Sequence, residues 1–178
     1  MKKLLLIAVI VGTMLAGCSK SKPEPKLEIG QPYQGGIIAY IDETGKHGLI
    51  AAPSDQNNGN PICWSVDNRN TGATLTDIGT GKSNTDKIVE AQGTTENYAA
   101  LLCKNLSIDG YSDWFLPSRF ELDELYRNRA EIGGFSDDWY WSSSEYYTNA
   151  AWHQKFSNGS HNYYYKYGSY RVRAVRAF

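Results

Sequence analysis

Gly110-Tyr111-Ser112-Asp113-Trp114-Phe115-Leu116-Pro117-Ser118-Arg119-Phe120-Glu121-Leu122 punctuates the middle of the chain. Ser118-x-x-Glu121 has the form of a capping box, in which the serine side chain and the glutamate three residues on satisfy each other's backbone N–H groups. Pro117 precedes it, as suits a chain entering a helix. Leu122, Leu125, Tyr126 and Arg129 recur at helical spacing, which predicts a helix over 119–130.

Toward the C-terminus the pattern changes after Gly133-Gly134. Short strands are predicted at Trp139–Ser143, Ala151–Phe156, Asn162–Tyr167 and Arg171–Phe178, with Trp152 and Phe156 on one face of an alternating strand. Toward the N-terminus, helical patterns occupy Thr85–Gln92 and Thr95–Leu106. Residues 54–82, rich in Asp, Asn, Gly and Thr, predict a long irregular connection. Gly35–Ile41 and His47–Ala52 read as two strands around the turn residues 42–46. Together these elements predict one α+β domain whose two ends share a sheet.

The first segment reads as an export signal. Met1-Lys2-Lys3 is a cationic start, and the apolar run from Leu4 to Val11 is too short to span a bilayer. It ends in Leu15-Ala16-Gly17-Cys18, which resembles the lipobox of bacterial lipoproteins and implies acylation of Cys18. The expected organisation is a signal peptide at 1–17, a lipid-anchored polar tether at 18–29 and a ligand-binding domain at 30–178. The location implied is a bacterial outer membrane or cell surface, with the lipid as the contact to the membrane. Cys63 and Cys103 remain. An even pair in an exported chain predicts a disulfide, against the alternative of two separate buried thiols.

Across 178 residues, 41% hydrophobic and 21% charged, Lys+Arg total 18 against Asp+Glu 19, for a net charge of -1. No basic field exists to hold a phosphate backbone, so no nucleic-acid partner is expected. Gly79-Thr80-Gly81-Lys82-Ser83 ends like a phosphate-binding loop, but the pattern needs Gly where Thr76 stands, so a plain loop is expected. Asp55-Gln56-Asn57-Asn58-Gly59 opens like a calcium loop but has Val66 where a bidentate glutamate is needed. His47, His153 and His161 lack metal-binding spacing, and no nucleophile elbow is present. Asp137 and Asp138, adjacent on extended chain, point to opposite faces. No cofactor, no metal and no enzymatic activity are therefore expected.

What stands out is the segment from Tyr146 to Tyr170, YYTNAAWHQKFSNGSHNYYYKYGSY. Of its 25 residues, 15 are Tyr, Asn, Ser or His. Antibody combining loops share this bias: Tyr gives stiff amphipathic contact area, while Ser and Asn adapt their hydrogen bonds. In the run Tyr163-Tyr164-Tyr165, consecutive strand residues cannot all face one core, so part of this set must be exposed.

Gly30-Gln31-Pro32-Tyr33-Gln34-Gly35-Gly36-Ile37-Ile38, Gly110 to Ser118 with Glu121-Leu122, Trp141-Ser142-Ser143-Ser144-Glu145 and Arg171-Val172-Arg173-Ala174-Val175-Arg176 follow one another in order. In this the chain resembles the bacterial DUF1566 family, the C-terminal domain of the Legionella collagen-like protein, over about residues 30–178. The resemblance implies a C-type-lectin-like fold: small twisted antiparallel sheets, two or three helices, long irregular loops, and N- and C-terminal strands paired. The family commonly has Arg where Phe115 stands.

Within that frame, about 146–170 resembles the variable region of target proteins of diversity-generating retroelements, in which Asn codons are randomised. An Asn codon with a fixed last pyrimidine can become Tyr, Ser, His, Asp, Thr, Gly or Ala. It cannot become Trp, Gln, Lys, Glu or Met, so Trp152, Gln154, Lys155 and Lys166 lie out of reach. The expected ligand-facing residues are Tyr146, Tyr147, Asn149, His153, Ser160, His161, Asn162, Tyr163, Tyr164, Tyr165, Tyr167 and Tyr170. Trp141, Trp152, Phe156, Val172 and Val175 are expected in the core. The expected function is a surface-anchored binder of a protein or glycan on another cell, phage or host surface. The alternatives are a fixed adhesin or glycan-binding lectin of the same fold, and an enzyme akin to the formylglycine-generating enzymes, against which the lack of a paired reactive cysteine counts.

Overall fold

A computed structural model describes residues 26–178. The expected signal peptide, Cys18 and the tether before residue 26 lie outside the described residues. Among the described residues the fold is α+β, with three small sheets, four α-helices and one 3-10 turn.

The first sheet is built from β1 (Pro32–Tyr33), β2 (Gly36–Ile41), β3 (Gly48–Ala51) and, from the other end of the chain, β9 (Val175–Ala177). They lie antiparallel in the order β1-β2-β3-β9, so the two chain ends share a sheet as expected. Gly36 is required by packing, because a Cβ there would run into the Ala51 carbonyl and the Ile50 side chain. The second sheet pairs β4 (Ile62–Cys63) with β8 (Ser169–Tyr170). The third is β5 (Trp139–Tyr147), β6 (Ala150–Lys155) and β7 (His161–Tyr165), antiparallel in that order. The helices are α1 (Gly81–Gln92), α2 (Ala99–Lys104), α3 (Arg119–Arg127) and α4 (Arg129–Ile132).

Alternation along the extended segments divides the interior in two. Trp114 and Leu116 enter one apolar cluster with Ile50, Trp64, Tyr98, Leu101, Trp141 and Val172. Phe115, between them, enters the other with Leu49, Leu122, Leu125, Tyr140, Phe156 and Val175. A period of two sends neighbours to opposite sides, so β3 and β5 also supply both clusters, through Ile50 and Trp141 on one side and Leu49 and Tyr140 on the other. Phe115 also exchanges backbone hydrogen bonds with Val175 at 2.7 and 2.9 Å. The position where the resembling family carries Arg is thus an apolar plug.

Several boundaries differ from the sequence reading. The capping box forms, with Ser118 Oγ accepting from Glu121 N, but the helix predicted over 119–130 breaks at Asn128. That side chain leaves the helix axis and donates to the Ala39 carbonyl at 2.9 Å. Helix α1 begins at Gly81, so Gly81-Lys82-Ser83, read as loop, opens a helix. The cause is tertiary: the buried carboxylate of Glu121 accepts from Gly79 N at 2.8 Å and Ser118 N at 2.7 Å, fastening the start of α1 to the start of α3. The strand expected over 171–178 is interrupted because Arg173 turns inward. Its guanidinium meets Asp55 at 2.7 Å and lies over the Phe135 ring at 4.0 Å.

The expected disulfide is not formed: Cys63 and Cys103 are both free thiols. Cys63 lies on β4 and Cys103 on the buried side of α2, and each packs on the first cluster as a small apolar side chain. Burial pushes both thiols above their ordinary range, which keeps them protonated.

Candidate ligand-binding face

The third sheet carries nearly all of the Tyr-rich segment. β7 is an edge strand of that sheet and is exposed along most of its length, with Tyr163, Tyr164 and Tyr165 43%, 45% and 47% exposed. Tyr147, at the end of β5, and Tyr167, beyond β7, are more exposed still. Asn149, Ser160 and Asn162 are also exposed, while Tyr146, His161 and Tyr170 are partly buried.

Register assigns these residues to two faces. Ala150 pairs with Tyr165 and Trp152 with Tyr163, so all four project to one side. On that side Tyr146 stacks on Tyr163, centroids 4.1 Å apart, and meets Trp152 edge-on at 4.7 Å. The Arg119 guanidinium, from the first turn of α3, lies 3.9 Å from the Trp152 ring centre. Further along, His161 Nε2 sits 3.2 Å from Asp123 Oδ1. Tyr147, Asn149, Ala150, Tyr163, Tyr164 and Tyr165 line a cavity of about 280 Å³.

On the opposite side His153 departs from expectation. It is 3% exposed, stacked on Trp139 at 4.1 Å and packed on Tyr170 at 4.6 Å. Alternation in β6 points it away from Trp152 and into the aromatic wall, so it faces no ligand. Burial alone pulls its imidazole down to about 4. Trp152 is the converse correction. Expected in the core, it is only partly buried and belongs to the surface cluster, whereas Trp141, Phe156, Val172 and Val175 are buried as expected.

Two buried polar side chains hold the segment in place. Lys166 donates to Glu145 Oε1 at 2.5 Å and to the Arg69 carbonyl at 2.9 Å, over the Trp64 ring. Gln154 donates to Asp123 Oδ1 at 2.8 Å, tying β6 to α3. The arrangement resembles a combining surface: rigid aromatic contact area on a held backbone.

The Lcl C-terminal domain family matches residues 53–176. The chain belongs to that family. No curated protein matches it. Membership of the Lcl C-terminal domain family points to a surface or adhesin-like protein. The match runs from just after β3 into β9, so the Lcl domain includes the whole Tyr-rich sheet, while the β1–β3 hairpins lie outside it. Within the Lcl domain, Arg173 and Arg176 are structural: Arg176 holds Asp113 through two hydrogen bonds of 2.7 and 3.0 Å. Among the described residues no group of three or more His, Cys, Asp or Glu could hold a metal ion. Sequence reasoning did not single out Arg119, Ala150 or Glu145. Arg119 and Glu145 take their places from Trp152, Thr71 and Lys166, more than twenty residues away, and Ala150 takes its place from the strand register that sets it between Tyr147 and Tyr165.

Proposed function

We propose that this chain is a lipid-anchored surface protein that binds other macromolecules through the Tyr-rich face of the β5–β6–β7 sheet. It acts by binding and not by catalysis, and the residues of that face are the changeable part. The observation that carries the reading is the contrast between exposed tyrosines and the residues that hold them. Tyr147, Tyr163, Tyr164, Tyr165 and Tyr167 are exposed, whereas Gln154 and Lys166 are fully buried. The four residues that randomised Asn codons cannot reach make the supporting contacts. Trp152 carries Arg119, Gln154 bonds Asp123, Lys155 reaches Asp138 at 3.6 Å, and Lys166 pairs with Glu145. A retroelement target needs this division between a constant scaffold and a replaceable surface.

The test compares two variants in thermal denaturation and in binding to intact cells and arrayed proteins and glycans. Replacing Tyr147, Tyr163, Tyr164, Tyr165 and Tyr167 together by Ser should leave the melting temperature close to wild type and abolish or switch binding. Trp141→Ala should cost about 3–5 kcal/mol whichever ligand is used. If the Tyr variant unfolds like the Trp141 variant, the tyrosines are structural and the proposal fails. A neighbouring reverse-transcriptase gene, with a near-copy of this coding segment bearing Asn codons at the Tyr positions, would separate diversification from a fixed adhesin. For the anchor, Cys18→Ala should abolish labelling by a fatty-acid probe.

A further inference from the structure

We propose that the Tyr face takes a protein ligand in two adjoining places: one uncharged side chain in the cavity floored by Ala150, and one carboxylate on Arg119. The inference rests on the binding reading above and names the ligand's chemistry.

The cavity supplies the first place. Ala150 is 4% exposed and lies between Tyr147 and Tyr165, its directly paired neighbours on β5 and β7. The only side chain shorter than a tyrosine or asparagine in the lining is therefore at its floor. At about 280 Å³ it falls below the usual range of small-molecule clefts, about 300–1,000 Å³, and suits a single large side chain. No lining residue is charged, so the occupant is uncharged. Aromatic walls around one inserted side chain are the setting in which a few contacts dominate affinity.

Arg119 supplies the second. Its guanidinium rests on Trp152 and near Phe120, and its Nε is buried with no hydrogen-bond partner among the described residues. No carboxylate of the described residues forms an ion pair with it, unlike Arg171, Arg173 and Arg176. A stacked, unpaired guanidinium is preorganised for a carboxylate from outside. The two places adjoin: Tyr163 lines the cavity and stacks on Tyr146, which meets Trp152, which carries Arg119. A protein is favoured over a sugar because these rings are spent on one another. Arg119 lies over Trp152, Tyr146 and Tyr163 approach it edge-on, and stacking on a sugar needs an open ring face. Position 150 also sets the depth of the cavity, so its size selects the ligand side chain.

The test is selection of a displayed random-peptide library on the full chain, in parallel on wild type, Ala150→Tyr, Ala150→Ser and Arg119→Gln, with melting temperatures recorded for each. Wild type should enrich peptides with an aromatic or large aliphatic residue at a fixed offset from Asp or Glu. Ala150→Tyr should weaken those peptides about tenfold or more, while Ala150→Ser, which keeps the floor small, should retain them. Arg119→Gln should lose only the acidic preference. The proposal is overturned if wild type enriches no such pattern, if folded Ala150→Tyr binds the wild-type peptides unchanged, or if Arg119 proves necessary only for an acidic sugar on a glycan array. If the five-Tyr variant still binds the selected peptides, the wider reading of the face fails. If it loses them while Ala150→Tyr keeps them, only the cavity is refuted.

Discussion

Lys166 and Glu145 form an ion pair with side chains 0% and 2% exposed, and it is the bolt that holds the most variable-looking strand to the loop beneath it. Glu145 also accepts from Thr71 N at 3.0 Å and Thr71 Oγ1 at 2.7 Å. Burial pulls the Lys166 ammonium down, and the carboxylate beside it opposes that. A sealed pair of this kind is costly to break from one side, because the remaining charge is left without a partner. Lys166→Met or Glu145→Gln alone should each destabilise the fold by about 3–5 kcal/mol, whereas Lys166→Met with Glu145→Leu should recover much of the loss. Urea denaturation of the four proteins measures this. Single losses near zero would place the pair in water.

His153 predicts an acid limit. Its imidazole is held at about 4 against an ordinary value of 6.5, so the unfolded chain binds more protons between those values. Stability is then fully present above about pH 6.5 and falls as the pH drops toward 4, by up to about 1.4 kcal/mol per unit. The buried Nδ1 has no acceptor to receive a second proton's bond, which gives the same sign. Melting temperature against pH should slope through this window, and His153→Phe should flatten it. An unchanged slope would show that another group titrates.

The helix junction separates two acceptors. Ser118→Ala removes one cap and should cost about 1 kcal/mol. Glu121→Ala leaves Gly79 N–H and Ser118 N–H without their acceptor, at about 1–3 kcal/mol each. Thermal denaturation should therefore rank Glu121→Ala well below Ser118→Ala in stability. The reverse order would mean that α1 does not depend on Glu121.

The thiols supply a chemical check. Oxidised protein denatured without reductant should show both Cys63 and Cys103 to a thiol reagent, while native protein should hide Cys103, which is fully buried. No free thiol in the denatured sample would restore the disulfide.

Much of the architecture was legible because its signals are local. Ser118 and Glu121 form a capping box within one turn, Leu122 and Leu125 fall on one face, and Tyr163-Tyr164-Tyr165 could not all be buried on a strand. The two side chains assigned to the wrong face share one cause. His153 and Trp152 are neighbours in an aromatic-rich strand, and which of them faces the core depends on how β6 is seated between β5 and β7.

Residue identity and spacing alone carried the α+β class, the shared sheet of the two chain ends, the helix start after Pro117 and the exposure of the Tyr run, since these follow from periods of two and 3.6 and from capping chemistry. Three-dimensional packing alone decided the start of α1, which Glu121 holds from 40 residues away. It also decided the free thiols, the inward His153, the sealed Lys166–Glu145 pair and the cavity over Ala150. Each of these depends on how separate strands and helices pack on one another, and no local pattern encodes which partner a side chain will meet.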